Sequence, residues 1–188
     1  MFELSLHILD LVQNSITAGA TLVVIEVIYD TDRDTLTITI KDDGKGMDEA
    51  LLARVTSPFA TTRTTRKVGL GIPMFKQCAE MCDGTFTIES KLGEGTCLTA
   101  TFRRSHLDLP PLGDLIDTMR SLILGSPDKP DFRLLYQIDE KEFCFDTREI
   151  RQALGPVPLN EPAVMEWIHE ALKEGFDEVE STHNEQSE

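Results

Sequence analysis

No stretch of the 188 residues approaches the roughly 20 consecutive apolar side chains needed to cross a bilayer, which excludes a helical membrane span. The opening Met-Phe-Glu-Leu-Ser lacks the basic start, apolar stretch and small-residue cleavage site of a secretory signal, so the cytoplasm is the expected compartment. Positive charge is scarce. The 18 Lys and Arg residues stand against 33 Asp and Glu, and a net charge of -15 repels a polyanion. Duplex nucleic acid is therefore not an expected partner, although a local basic patch still suits a compact anion such as a nucleotide phosphate. Cys78, Cys82, Cys97 and Cys144 are too few, in a chain without a secretion signal, for a disulfide scaffold. There is no internal repeat, and nothing in the sequence signals an oligomeric state.

What is present is the ordinary composition of a globular protein, 40% hydrophobic and 27% charged, with length for one domain and a small appendage. Leu4, Ile8, Leu11, Val12 and Ile16 recur at helical spacing before Gly19, which predicts an amphipathic helix over 4–18. Residues 21–29 and 35–41 are rich in β-branched side chains around a polar turn, the pattern of a hairpin. A glycine-bearing turn at 42–47, a short helix at 48–55 and a Thr, Arg and Lys loop at 56–68 follow. A helix then opens on Gly69-Leu-Gly71, and a second hairpin, 85–90 with 96–103, closes the unit near residue 104. Pro110 and Pro111 mark 105–111 as a linker, and 112–175 reads as a small mixed α/β extension whose last helix ends at Gly175. Residues 176–188, acidic and poor in apolar side chains, are expected to be disordered.

Three local patterns carry chemistry. Asp10 and Asn14 lie four apart, on one face of the first helix. Both can converge on one ion, Asn14 through its amide oxygen to Mg2+, yet taken alone the pair reads more simply as a solvated polar face. Asp42 ends a strand, where its carboxylate can accept a hydrogen bond from a base amino group, and Gly44 and Gly46 lack the Cβ that would keep backbone from a ligand. Asp-Gly turns also arise for purely conformational reasons. Gly69 and Gly71 open a helix whose start suits an anion, and Arg63, Arg66 and Lys67 precede it as a basic patch in an acidic chain. The bland alternative is an exposed loop that is basic. Neither a P-loop nor the third glycine of a dinucleotide fingerprint is present.

In order, the parts are Asn14 on a helix, Asp42-x-Gly44-x-Gly46 after a strand, Ser57-Pro58-Phe59, Gly69-x-Gly71, and Gly93-Glu-Gly95-Thr96. This series resembles the GHKL superfamily of gyrase, the heat-shock chaperones, histidine kinases and MutL, over about residues 4–102. Leu11-Val-Gln-Asn14-Ser-Ile-Thr-Ala-Gly-Ala is similar to the MutL helix, whereas the segments around Ala60-Thr-Thr-Arg and Gly69-Leu-Gly71-Ile-Pro are similar to histidine kinases. The resemblance implies a two-layer α/β sandwich of the Bergerat type over 1–104, a mixed sheet covered by helices. ATP would lie between the layers, with Asn14 on a phosphate-bridging Mg2+, Asp42 on the adenine amino group, Thr96 supporting that contact, and Gly69 and Gly71 at the phosphate end. Asp10 stands where hydrolytic members have a glutamate base, and the shorter side chain leaves hydrolysis open.

Histidine kinases also carry a phospho-accepting histidine upstream, whereas here the pocket helix begins almost at Met1 and His7 lies on that same helix as a packing or surface residue. The expected function is thus a regulatory ATP-dependent phosphotransferase acting on a separate protein, similar to stand-alone anti-sigma kinases. An ATP-dependent conformational switch with slow or no hydrolysis is the alternative, and a non-catalytic interaction protein that binds no nucleotide is a third. Cys78 and Cys82, four apart on a helix, read as small hydrophobes rather than metal ligands.

Overall fold

The computed structural model describes residues 3–57 and 70–185. The chain begins with α1 (Leu4–Thr17), whose Leu4, Ile8, Leu11 and Val12 are buried at the spacing of one helix face. Its opening amides are satisfied from far along the chain: Leu4 N–H donates to the Pro111 carbonyl at 2.9 Å and Ser5 N–H to the Leu112 carbonyl at 2.8 Å. The hairpin β1 (Leu22–Asp30) and β2 (Thr35–Asp42) alternates strictly, burying Val23, Ile25 and Val27 on one strand and Leu36, Ile38 and Ile40 on the other. After α2 (Glu49–Thr56), which Asp48 caps by accepting from Leu51 N–H at 2.8 Å, come α3 (Gly71–Met81), β3 (Phe86–Lys91) and β4 (Gly95–Arg103).

The remaining elements are α4 (Leu115–Gly125), β5 (Asp131–Ile138), β6 (Lys141–Asp146), α5 (Thr147–Leu154) and α6 (Pro162–Glu185). The six strands form one sheet in the order β3-β4-β2-β1-β5-β6. Among the described residues its only parallel pair is β1 with β5, from Leu22↔Asp131 to Tyr29↔Ile138. The units that composition separates at 105–111 therefore share a single sheet, with α4 in the crossover that a parallel pair requires. The inward face carries Ile25, Ile38, Ala100 and Leu134, all fully buried beneath the helical layer. The opposite face carries Thr37, Thr39, Thr99 and Thr101, half-buried, and the architecture is a two-layer α/β sandwich.

The end of the chain corrects the sequence reading. The helix expected to stop at Gly175 continues to Glu185, so 176–185 is ordered helix rather than disordered tail. Phe176 and Val179 prolong the buried face of Ile168 and Leu172. The Phe176 ring stacks on Tyr136 with centroids 4.1 Å apart, and the Tyr136 hydroxyl donates to Glu180 at 3.0 Å. Gly175 is not a terminator: a Cβ there would lie 2.3 Å from the Phe143 ring of β6, so the glycine lets the helix pass over that ring.

Candidate functional site

Asp42 is the last residue of β2 and lies on the helix-facing side, in line with Ile38 and Ile40. Two donors fix its carboxylate. Ser15, buried on α1, donates to Oδ2 at 2.6 Å, and the Gly44 amide donates to Oδ1 at 2.9 Å. An ionised carboxylate has about four acceptor positions, so both oxygens retain capacity for a further donor. The neighbouring Asp43 faces the other way. Its Oδ1 accepts from Thr21 N–H at 2.7 Å and Leu22 N–H at 3.0 Å, and Oδ2 accepts from the Thr21 hydroxyl. Burial pushes the Asp43 carboxyl up, but these bonds outweigh it and hold it below the ordinary aspartate value. One aspartate is fully engaged in fastening the start of β1; the other is oriented with capacity left.

In register, Asp42 pairs with Thr96 on β4, and Thr96 pairs with Ser90 on β3. Ser90 Oγ lies 2.8 Å from Thr96 Oγ1 and accepts from the Met47 amide at 2.8 Å, which ties the turn after β2 to the β3–β4 hairpin. The glycines of these two turns interlock. Gly46 has φ +65°, and a Cβ there would lie 2.0 Å from the Lys91 carbonyl oxygen; Gly95 has φ +108°, with its Cβ position 2.0 Å from the Asp42 carbonyl oxygen. A Cβ on Gly44 would lie 3.0 Å from Ala18 Cβ and from Asp42 Oδ1. At Gly44 and Gly46 the space a Cβ would need is occupied by the protein's own backbone and side chains, and Gly46 also lines the cleft.

That cleft lies between α1, α2 and the sheet. Leu11, Ile40, Met47, Leu51, Val55, Ile72 and Leu98 give it apolar walls, and Asn14, Thr17, Asp42, Lys45 and Thr96 add polar groups. The structure thus brings Asn14, Asp42, Gly46 and Thr96 to one concavity. Gly44 sits behind the turn, buried. Asp10 is exposed on α1, and Gly71 opens α3 beside it, its Cβ position 3.6 Å from Asp10 Cβ; neither lines the cleft. Arg63, Arg66, Lys67 and Gly69 lie outside the described residues, as does the loop that contains them. Sequence reasoning missed Ser15 and Ser90. Ser15 stood out only as a polar residue four after Leu11 on an apolar stripe, and Ser90 only once the hairpin register set it opposite Thr96.

The other candidates have structural roles. His7 is 7% exposed with its ring 5.6 Å from that of Phe75, and burial lowers its pKa more than the Asp10 carboxylate raises it. Burial pushes the Cys78 thiol up to about 11 and also raises that of Cys82. Among the described residues no three His, Cys, Asp or Glu side chains gather to hold a metal ion, and no helix is long and apolar enough to cross a membrane.

Comparison with known proteins agrees with this geometry. The family model described as histidine kinase-, DNA gyrase B-, and HSP90-like ATPase matches residues 3–106. A heme sensor protein, HssS, of Staphylococcus saprophyticus is 32% identical over 96 residues, 50% of this chain and 21% of that protein. The sensor protein kinase FleS of Pseudomonas aeruginosa is 39% identical over 92 residues, 49% of this chain and 23% of its own length. The chain thus spans about a fifth of these curated relatives. In fold it is similar to the MutL ATPase domain of Aquifex aeolicus, solved with ADP, at TM-score 0.55 and 14% identity, covering 82% of this chain and 69% of that one.

Proposed function

The chain belongs to the histidine kinase-, DNA gyrase B- and HSP90-like ATPase family, and from that premise we propose that it binds ATP with Mg2+ and passes the γ-phosphate to a separate protein as a regulatory phosphotransferase of signal transduction. The observation that carries the reading is the Asp42 carboxylate, held from two sides at the polar end of an apolar cleft. A flat base suits those walls, and an exocyclic amino group suits the remaining acceptor capacity. The ADP in the MutL domain supports the same class of ligand.

Magnesium fits as an ion shared with phosphates. Asn14 offers an oxygen from α1, but among the described residues no acidic group completes a protein-only site. When bound, the ion would neutralise phosphate charge, and Asn14 would hold it. Gly71 at the start of α3, with Gly69, Arg63, Arg66 and Lys67 from the preceding sequence, is assigned to the phosphates, Thr96 to the base with Asp42, and Asp10 to the attacking group. The cytoplasm is the compartment that fits such signalling. Incubation with γ-labelled ATP and candidate partners tests the proposal: label on a partner is expected, and binding without transfer to any of them sinks it.

One observation favours a second reading. Asp10 is exposed and outside the cleft lining, and its carboxylate is shorter by one methylene than the glutamate base of hydrolytic members. An ATP-dependent conformational switch needs no attacking group. It predicts partner affinity that changes with ATP, and equal affinity with and without ATP rules it out.

A further inference from the structure

Ser90 stands behind the cleft wall rather than on it. Its Oγ lies 2.8 Å from the Met47 amide nitrogen, 3.0 Å from the Gly95 carbonyl oxygen and 2.8 Å from Thr96 Oγ1. A hydroxyl has one proton and two lone pairs; the amide only donates and the carbonyl only accepts. Were the Ser90 proton directed at Thr96, the Gly95 oxygen would face another oxygen with no proton between them. A single arrangement makes all three contacts hydrogen bonds: Met47 N–H donates to Ser90, Ser90 donates to Gly95, and Thr96 donates to Ser90. The Thr96 proton is then turned away from the cleft that Thr96 lines, leaving its lone pairs toward it. Asp42, directly opposite on β2, also only accepts.

We infer that Ser90 is a specificity-determining residue: by taking the Thr96 proton it makes this end of the cleft a wall of acceptors, which selects a base carrying an amino group there and rejects one carrying a carbonyl. The inference rests on the nucleotide reading of the cleft. The role belongs to Ser90 although it touches no ligand, because it acts through Thr96 and fixes which way that hydroxyl points. A site built to accept from an amino group discriminates strongly against an analogue that presents a lone pair in its place.

The test uses the full chain with ATP and ITP, which differ in this substituent, titrated by calorimetry. The unmodified protein is expected to favour ATP by about 100-fold. In Ser90→Ala the Thr96 hydroxyl is free to turn and donate, and the ATP/ITP ratio should fall by about tenfold, whereas Ser90→Thr, which keeps the acceptor, should retain it. In a Thr96→Val background Ser90→Ala should leave the ratio unmoved, because no proton remains to be directed. Loss of the Met47 tie alone would weaken both nucleotides equally. An unchanged ratio in Ser90→Ala overturns the inference, and so does a narrowing that persists without the Thr96 hydroxyl. Failure of the unmodified protein to bind ATP would instead overturn the nucleotide reading and this inference with it. If Ser90→Ala does not fold, as seen by circular dichroism, Ser90→Cys, a weaker acceptor of similar size, is subject to the same criteria.

Discussion

Ser15 on α1 donates to Asp42 at the end of β2 across 2.6 Å, joining the helical layer to the sheet at the polar end of the cleft. This contact distinguishes two adjacent aspartates that sequence alone presents as a pair. Asp42→Asn keeps the shape but offers a donor where a base amino group also donates, and ATP affinity measured by calorimetry should fall by about 100-fold. Ser15→Ala, which only loosens the carboxylate, should cost about 2–10-fold. Unchanged affinity in Asp42→Asn would remove that residue from ligand binding.

Asp43→Ala should do the reverse. It takes the acceptor from the Thr21 and Leu22 amides, so thermal stability should drop by ~0.5–1.5 kcal/mol, while ATP affinity stays within about threefold. Melting and titration of the same preparation separate the two effects, and equal damage to binding by both substitutions would contradict the division of roles.

The difference between these neighbours shows what the sequence held and what it did not. The alternation of β2 and the position of Asp42 at its end were legible, because period-2 burial is a local property. The extent of α6 was not. Beyond Gly175 the composition is acidic, and Phe176 and Val179 look isolated until Tyr136 and the rest of the core arrive from 40 residues away in the chain. The parallel pairing of β1 with β5 was hidden for the same reason, since no local pattern names a strand's distant partner. Gly44 and Gly46 illustrate a third case: glycine was recognised as permitting close approach, but only the structure identifies what approaches.

Gly175→Ala tests the helix passage over Phe143. The substitution gains about 1 kcal/mol of helix propensity. A Cβ 2.3–2.4 Å from three ring atoms costs ~1–3 kcal/mol of overpacking, and an approach so far inside van der Waals contact demands the upper end. The net loss of about 2 kcal/mol corresponds to a fall in melting temperature of roughly 4–8 °C for a chain of this size. A rise would mean that Phe143 yields without cost. In the double variant Gly175→Ala with Phe143→Leu, the loss should shrink.

His7 makes stability depend on pH in a definite direction. Its folded pKa lies below the ordinary histidine value of about 6.5 because burial disfavours the imidazolium. The unfolded chain therefore binds the proton first. The stabilisation is complete above about pH 6.5 and is lost as the pH falls from there through the depressed folded value. The difference in melting temperature between the unmodified protein and His7→Gln should be constant from pH 7 to 8 and change in favour of the variant on acidification through pH 6. A constant difference down to pH 5 would contradict it.

Asp10→Ala separates binding from turnover. Asp10 is exposed and does not line the cleft, so ATP affinity should stay within about threefold, while any hydrolysis or transfer falls by at least ~100-fold if Asp10 assists the attacking group. Turnover at the original rate would leave the switch reading as the better account.

The pairing of β5 with β1 bears on where this protein can be cut. The family match ends at residue 106, which invites expression of the first 106 residues as a minimal ATP-binding unit. Such a fragment would leave β1, with its Val23, Ile25 and Val27, as a bare rim of unsatisfied amides and carbonyls, and would strip α1 of the Pro111 and Leu112 oxygens that receive its first N–H groups. Long apolar rims of this kind recruit other chains. The nucleotide half is therefore expected to polymerise or precipitate when severed, and solubility of that piece in the laboratory would depend on carrying its own C-terminal hairpin along.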